Sequence, residues 1–197
     1  AEGRALVEGA AAFFMPGYAL HEPRVGEQAN EVMQVAVAAG VPVFCDLGPI
    51  VNERSLRHKA LDVLRHSFVS LLTEEEALIF TVAADADAAA RWMQAQGARH
   101  VVIKRGADGC TIHAGNKEAA PTVVPGFPVE VFNVLGAGDA FMAGFLSGWL
   151  RDAPLAECGR RANACGALVV SRHGCAPAIP TAIELEHATI PVYLYAL

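Results

Sequence analysis

The feature that most constrains this chain is a rhythm in which short apolar runs alternate with stretches of helical period, recurring between residues 25 and 104. In residues 25–39 the apolar side chains Val32, Val35, Ala36 and Ala39 fall at helical spacing. Gly40 then supplies a stop, and residues 41–45 (VPVFC) follow as a short buried strand. Residues 55–65 are helical with a serine at their head, residues 68–72 form a strand, and Thr73-Glu74-Glu75-Glu76 opens another helix with capping-box chemistry. Residues 85–96 and then 100–104 repeat the pattern. Parallel neighbours need a crossover, and the right-handed crossover places helices outside the sheet. The expected fold class is therefore α/β, a doubly wound, mostly parallel sheet with helices on both faces.

Outside this rhythm the chain reads differently. Residues 4–16 (RALVEGAAAFFMP) run almost at once into apolar side chains that look like an interior strand, so the sequence reads as a piece of a longer protein. Between residues 109 and 131 short extended runs (CTIH, then TVV) flank Ala114-Gly115-Asn116-Lys117, which predicts a hairpin turn and an antiparallel edge. Two helices are expected over residues 137–151 and 154–171, then a Pro- and Gly-marked loop over 173–180. The apolar tail of residues 189–197 (TIPVYLYAL) is β-prone and has no functional reading. At 197 residues and 53% apolar content, one core and one domain over residues 1–197 are expected.

Composition removes several classes of function. Fifteen basic against twenty-one acidic side chains give a net charge of −6, and no basic run is present to follow a nucleic-acid backbone. The five cysteines are odd in number and contain no C-x-x-C pair, so neither a disulfide framework nor a zinc knuckle is indicated, and a cytoplasmic setting fits best. The apolar stretch 137–150 is too short to span a bilayer and is broken by glycine, so no membrane partner is expected.

Chemistry concentrates at Val134-Leu135-Gly136-Ala137-Gly138-Asp139-Ala140-Phe141. Two glycines let the backbone turn tightly beside a ligand, immediately before a helix whose first amide hydrogens have no internal partner. Those N–H groups and the positive end of the helix dipole suit a phosphate, and the same field favours a carboxylate at Asp139. A carboxylate beside a phosphate can accept the proton of an attacking hydroxyl. On its own, G-A-G-D is equally a glycine-rich turn with an aspartate favouring a helix start.

The surrounding residues carry a more specific resemblance. Residues 133–144 (NVLGAGDAFMAG) resemble the signature D-T-x-G-A-G-D-x-F-x-x-G of PfkB-type, ribokinase-like carbohydrate kinases. The resemblance implies a ribokinase-like fold, with Asp139 as the general base and the amides of Gly136, Ala137 and Gly138 as an anion hole for the transferring phosphoryl group. Residues 101–109 (VVIKRGADG) resemble the strand and turn under the nucleotide phosphates, which nominates Lys104, Gly106 and Gly109. Residues 161–167 and 171–177 resemble the elements flanking the adenine, which nominates Asn163 and Gly174. The phrases FNVLGAGDAFM and VVSRHGCAP look like the 5-dehydro-2-deoxygluconokinase branch. Thr73-Glu74-Glu75-Glu76 resembles an N-x-x-E element that tunes Mg2+ binding, with Glu76 at the glutamate position.

The implied donor is ATP with Mg2+, the implied acceptor a small carbohydrate, and the implied assembly a homodimer. Three departures qualify this. Asn133 and Val134 replace Asp-Thr and so remove a carboxylate from the site where the family holds a monovalent cation, K+. Thr73 replaces the asparagine of N-x-x-E. The family's Gly-Gly-x-x-x-Asn sugar-binding element and β-sheet lid have no counterpart, so residues 4–180 match only its C-terminal part. Two readings stand: an ATP-dependent carbohydrate kinase, or a nucleotide-binding module or kinase fragment without sugar kinase activity. An NAD-binding Rossmann domain is disfavoured, because no G-x-G-x-x-G follows the first strand. Asp46, at a strand end, serves a turn or a site with equal expectation.

Overall fold

The computed structural model describes residues 2–116 and 119–189. Strands β1 (Phe13–Pro16), β2 (Val43–Asp46), β3 (Ser67–Thr73), β4 (His100–Lys104), β5 (Cys110–His113) and β6 (Thr122–Val124) form one sheet in sequence order. The first four pair in parallel. The connecting helices are α2 (Pro23–Ala38), α3 (Arg57–His66), α4 (Glu74–Thr81) and α5 (Ala86–Gln96). The α/β fold expected from the rhythm is present, a six-stranded sheet with helices in its crossovers.

Local chemistry explains most boundaries. The Asp85 side chain accepts from the Ala88 N–H at 2.7 Å and starts α5. Thr73 Oγ1 accepts from the Glu76 N–H at 3.2 Å while Glu76 Oε2 accepts from the Thr73 N–H at 2.8 Å, so the expected capping box starts α4. The serine expected to head α3 does not cap it. Ser55 lies in a 3-10 turn, Arg54–Leu56, and Leu56 at the N-cap makes no side-chain bond.

A larger correction concerns residues 4–16, which are not one strand. Helix α1 occupies Glu2–Glu8 and only Phe13–Pro16 is extended. Arg, Ala, Leu and Glu are strong helix formers, and Arg4 Nε donates to Glu8 Oε1 at 2.8 Å across one turn. The β-favouring pair Phe13-Phe14 comes later.

The chain divides into two compact units. The first runs to Arg105 and includes Thr111–Thr122; the second takes Gly106–Cys110 and the chain from Val123 onward. In the first, Met15, Met33, Val43, Cys45, Leu64, Leu72, Phe80, Met93, Val101 and Ile103 are buried in one core. Because parallel strands are covered on both faces, β4 reads HVVIK with its three central residues fully buried.

The second unit holds α6 (Ala137–Trp149), α7 (Leu155–Val170) and α8 (Ala182–Thr189). Ala140, Ala164, Cys165, Val169, Ala178 and Leu185 form its core. Helix α8 starts on a signal that apolar period alone does not reveal. Glu184 Oε2 accepts from the Thr181 N–H at 2.8 Å and Thr181 Oγ1 from the Glu184 N–H at 3.3 Å, a second capping box written T-A-I-E. The extended runs CTIH and TVV are β5 and β6. Lys117 of the expected turn, and residues 190–197 of the apolar tail, lie outside the described residues.

Candidate active site

Helix α6 begins at Gly136, which adopts φ 83° and ψ 0°, the left-handed region that glycine enters without steric cost. The Gly136 carbonyl accepts the Ala140 N–H at 2.9 Å and so closes the first helical turn. The amides of Gly138 and Asp139 fall within that first turn, where no carbonyl lies four residues back inside the helix. The Ala137 N–H points at the Val134 carbonyl at 3.2 Å, so an anion would share it with that oxygen. Asp139 stands exposed in the same turn. Among the described residues it has no ion-pair partner.

Glycines also fix how α6 is held. A Cβ on Gly144 would lie 2.6 Å from the Arg161 carbonyl oxygen and 2.8 Å from Ala162 Cα. One on Gly148 would lie 3.1 Å from Cys158 Cα. Spaced by four, the two glycines let α6 and α7 pack backbone against backbone. The last glycine of the signature is therefore a packing residue. Arg161, buried on α7, donates from Nε to Ser147 Oγ at 3.0 Å and from Nη2 to Glu186 Oε1 at 2.8 Å, tying α6, α7 and α8 together. Cys158 and Cys165 are buried on α7, and burial pushes both thiols up to about 11, so they pack as small uncharged groups.

The turn Gly106–Asp108 and Gly109 belong to this same unit. Gly109 has φ 87°, and a Cβ there would lie 2.1 Å from the Val124 carbonyl oxygen. A Cβ on Gly126 would lie 2.2 Å from the Ala107 carbonyl oxygen, so these two backbones touch directly. Gly106, at φ 57°, faces open space on its Cβ side. Asn163, nominated for the nucleotide, is buried and donates from Nδ2 to the carbonyls of Val124 at 3.1 Å and Pro125 at 3.0 Å. Both amide hydrogens thus bind α7 to the strand that the Gly109 turn packs on. Gly174, at φ 98°, accepts from Asn133 Nδ2 at 2.6 Å.

Gly136, Ala137, Gly138, Asp139, Gly106, Gly109, Asn163 and Gly174 all belong to the second unit. Lys104 and Glu76 belong to the first unit, and each is engaged there. Lys104 Nζ lies 2.6 Å from Asp46 Oδ2, while Asp46 Oδ1 accepts from the Gly48 N–H at 3.2 Å. Asp46 thus serves a turn and an ion pair together. Glu76 spends one carboxylate oxygen on its capping box. Among the described residues no three His, Cys, Asp or Glu side chains cluster to hold a metal ion. None of their helices is long and apolar enough to cross a membrane.

The sequence matches the pfkB family carbohydrate kinase pattern over residues 2–182. A cytidine kinase of Thermococcus kodakarensis is 36% identical over 123 residues, 61% of this chain and 44% of that protein. A 5-dehydro-2-deoxygluconokinase of Shouchella clausii is 27% identical over 186 residues, 91% of this chain and 56% of that protein. The chain thus spans about half the length of these curated relatives. An E. coli protein described as a candidate ribokinase II, solved with ATP and Mg2+, has the same fold at a TM-score of 0.85 and 22% identity, over 94% of this chain and 60% of that one. With a family match across nearly the whole described sequence and the turn Gly136-Ala137-Gly138-Asp139 in the geometry of a helix start, this chain belongs to the pfkB family of carbohydrate kinases.

Proposed function

We propose that this chain carries the phosphoryl-transfer site of an ATP-dependent carbohydrate kinase. The observation that carries the reading is the helix start itself: left-handed Gly136, the first-turn amides of α6 and an exposed Asp139 on one short segment. The amides of Gly136, Ala137 and Gly138 would hold the γ-phosphoryl oxygens as charge develops on them. Asp139 would take the proton of an acceptor hydroxyl whose oxygen attacks phosphorus as the bond to the ADP oxygen breaks. The leaving charge ends on ADP.

Gly106 and Gly109 would let the backbone come close to the nucleotide, while Asn163 and Gly174 would border its base. Lys104 would offset phosphate charge. Mg2+ supplies charge neutralisation to the phosphates and arrives with them, since hard, reluctantly dehydrated Mg2+ is commonly bound through substrate phosphates. Glu76 would contribute to it indirectly. The acceptor we propose is a sugar or sugar acid, with 5-dehydro-2-deoxygluconate first, supported by the sequence resemblance to kinases of that name. A cytoplasmic homodimer on a single ribokinase-like domain completes the proposal.

A second reading, nucleotide binding without turnover, is favoured by Asn133 and Thr73, where the family pattern carries aspartate and asparagine. Calorimetry with Mg-ATP and an ADP-release assay over a panel of sugars and sugar acids separate the two. Acceptor-dependent ADP release that falls about a thousandfold or more in Asp139→Asn supports the kinase. Mg-ATP binding with no acceptor-dependent release supports the module, and no binding of Mg-ATP removes both.

A further inference from the structure

The segment leading into Gly136 is tied to the loop after α7 by more than packing. The Phe132 N–H donates to the Val170 carbonyl at 2.8 Å, and the Asn133 N–H reaches the same oxygen at 3.3 Å. The Asn133 side chain then bridges two further backbone groups. Its Oδ1 accepts from the Leu135 N–H at 3.0 Å, and its Nδ2 donates to the Gly174 carbonyl at 2.6 Å. Only one orientation of the amide satisfies both, since one partner is a donor and the other an acceptor. Beside this bridge, Cys175 Sγ would lie 2.7 Å from a Cβ on Gly136, so the loop abuts the phosphate turn itself.

We propose that Asn133 is a positioning residue that fixes the phosphate turn against the Gly174 loop through its own N–H, and that nucleotide binding is thereby made independent of any dissolved monovalent cation. The chemistry follows from the acceptor on the far side. A carboxylate at residue 133 could still accept the Leu135 N–H. Its second oxygen, however, would face the Gly174 carbonyl oxygen at hydrogen-bond distance with no hydrogen between them. Two facing oxygen atoms repel unless a proton or a cation lies between them. In this chain the amide hydrogen, covalently attached, supplies that positive charge. The inference rests on the proposed nucleotide-binding role of the turn, although the bridge itself does not.

Mg-ATP is titrated calorimetrically into the wild type, Asn133→Asp and Asn133→Ala, in KCl and in choline chloride at equal ionic strength. In parallel, hydrogen exchange of the Leu135 amide is followed without nucleotide. Wild-type affinity is expected to be the same in both salts within about twofold. Asn133→Asp should bind about tenfold more weakly in choline and recover in KCl, whereas Asn133→Ala should be about tenfold weaker in both. The Leu135 amide should exchange faster in Asn133→Ala than in the wild type. The proposal is overturned if the wild type itself needs K+, if Asn133→Asp binds normally in choline, or if Leu135 exchange is unchanged in Asn133→Ala. Faster Leu135 exchange in a protein that binds no Mg-ATP removes the kinase reading and upholds the bridge.

Discussion

Lys104 Nζ lies 2.6 Å from Asp46 Oδ2 across 58 residues of sequence, with side-chain exposures of only 13% and 15%. The pair joins the ends of β4 and β2, with β3 between them in the sheet. Largely removed from water, each charge depends on the other. Asp46→Leu or Lys104→Met alone should lower unfolding free energy by about 2–4 kcal/mol, and the Asp46→Leu/Lys104→Met double variant should recover much of that loss. Urea titration checks this, and additive losses would show the pair to be uncoupled.

The contact between α6 and α7 sets a second expectation. In Gly144→Ala the new methyl group meets the backbone of Arg161 and Ala162, atoms that no rotamer change can move aside. A loss of about 3 kcal/mol is expected. Gly166→Ala on α7, whose Cβ would meet nothing closer than the Ala137 carbonyl oxygen at 3.9 Å, should instead gain up to about 1 kcal/mol from helix propensity. Thermal melts of the two variants should move in opposite directions.

Helix α4 ends on a strained residue. Val82 takes φ 57° and ψ 31° with 85% of its surface exposed, so a β-branched side chain occupies the left-handed cap without burial to offset it. Val82→Gly should raise stability by roughly 1 kcal/mol, read as a higher urea midpoint at unchanged slope. A lower midpoint would mean that the valine makes contacts worth more than its strain.

The pH dependence of stability should carry a signature of Glu184. Hydrogen bonds from the Thr181 backbone first, then from Arg172 and the Thr181 hydroxyl, pull its carboxyl from the usual 4.5 down to about 2. A depressed carboxyl stabilises the fold fully above its unfolded value and ceases to do so once pH drops through its folded value. The wild type should therefore melt higher than Glu184→Gln near neutrality, and the difference should fade between pH 4.5 and 2. A constant difference across that window would assign the effect to geometry instead of charge.

Residue order settled much of this before any tertiary contact. Hydrophobic period fixed the type of most elements because a helix or strand face is decided by neighbours a few residues away, as in residues 25–39 and 100–104. Capping fixed several boundaries for the same reason, at Thr73 and at Asp85. The helix start at Gly136 to Asp139 was legible because two glycines, an acidic residue and an apolar run sit side by side. The strand expected over residues 4–16 failed where apolarity was read without propensity: Arg4 to Glu8 favour a helix even though β-favouring side chains lie just downstream.

Sequence alone thus determined an α/β chain with a glycine-led helix start at Gly136 to Asp139 and membership of a kinase family. Only the tertiary structure decided which groups share an environment. It paired Lys104 with Asp46 and gave both amide hydrogens of Asn163 to backbone carbonyls. It bridged Asn133 to Gly174 and made Gly144 a packing residue. Those partners lie tens of residues apart, 58 for Lys104 and Asp46 and 41 for Asn133 and Gly174. No local pattern encodes such distances, because they arise from how crossovers and helix packing return the chain to itself.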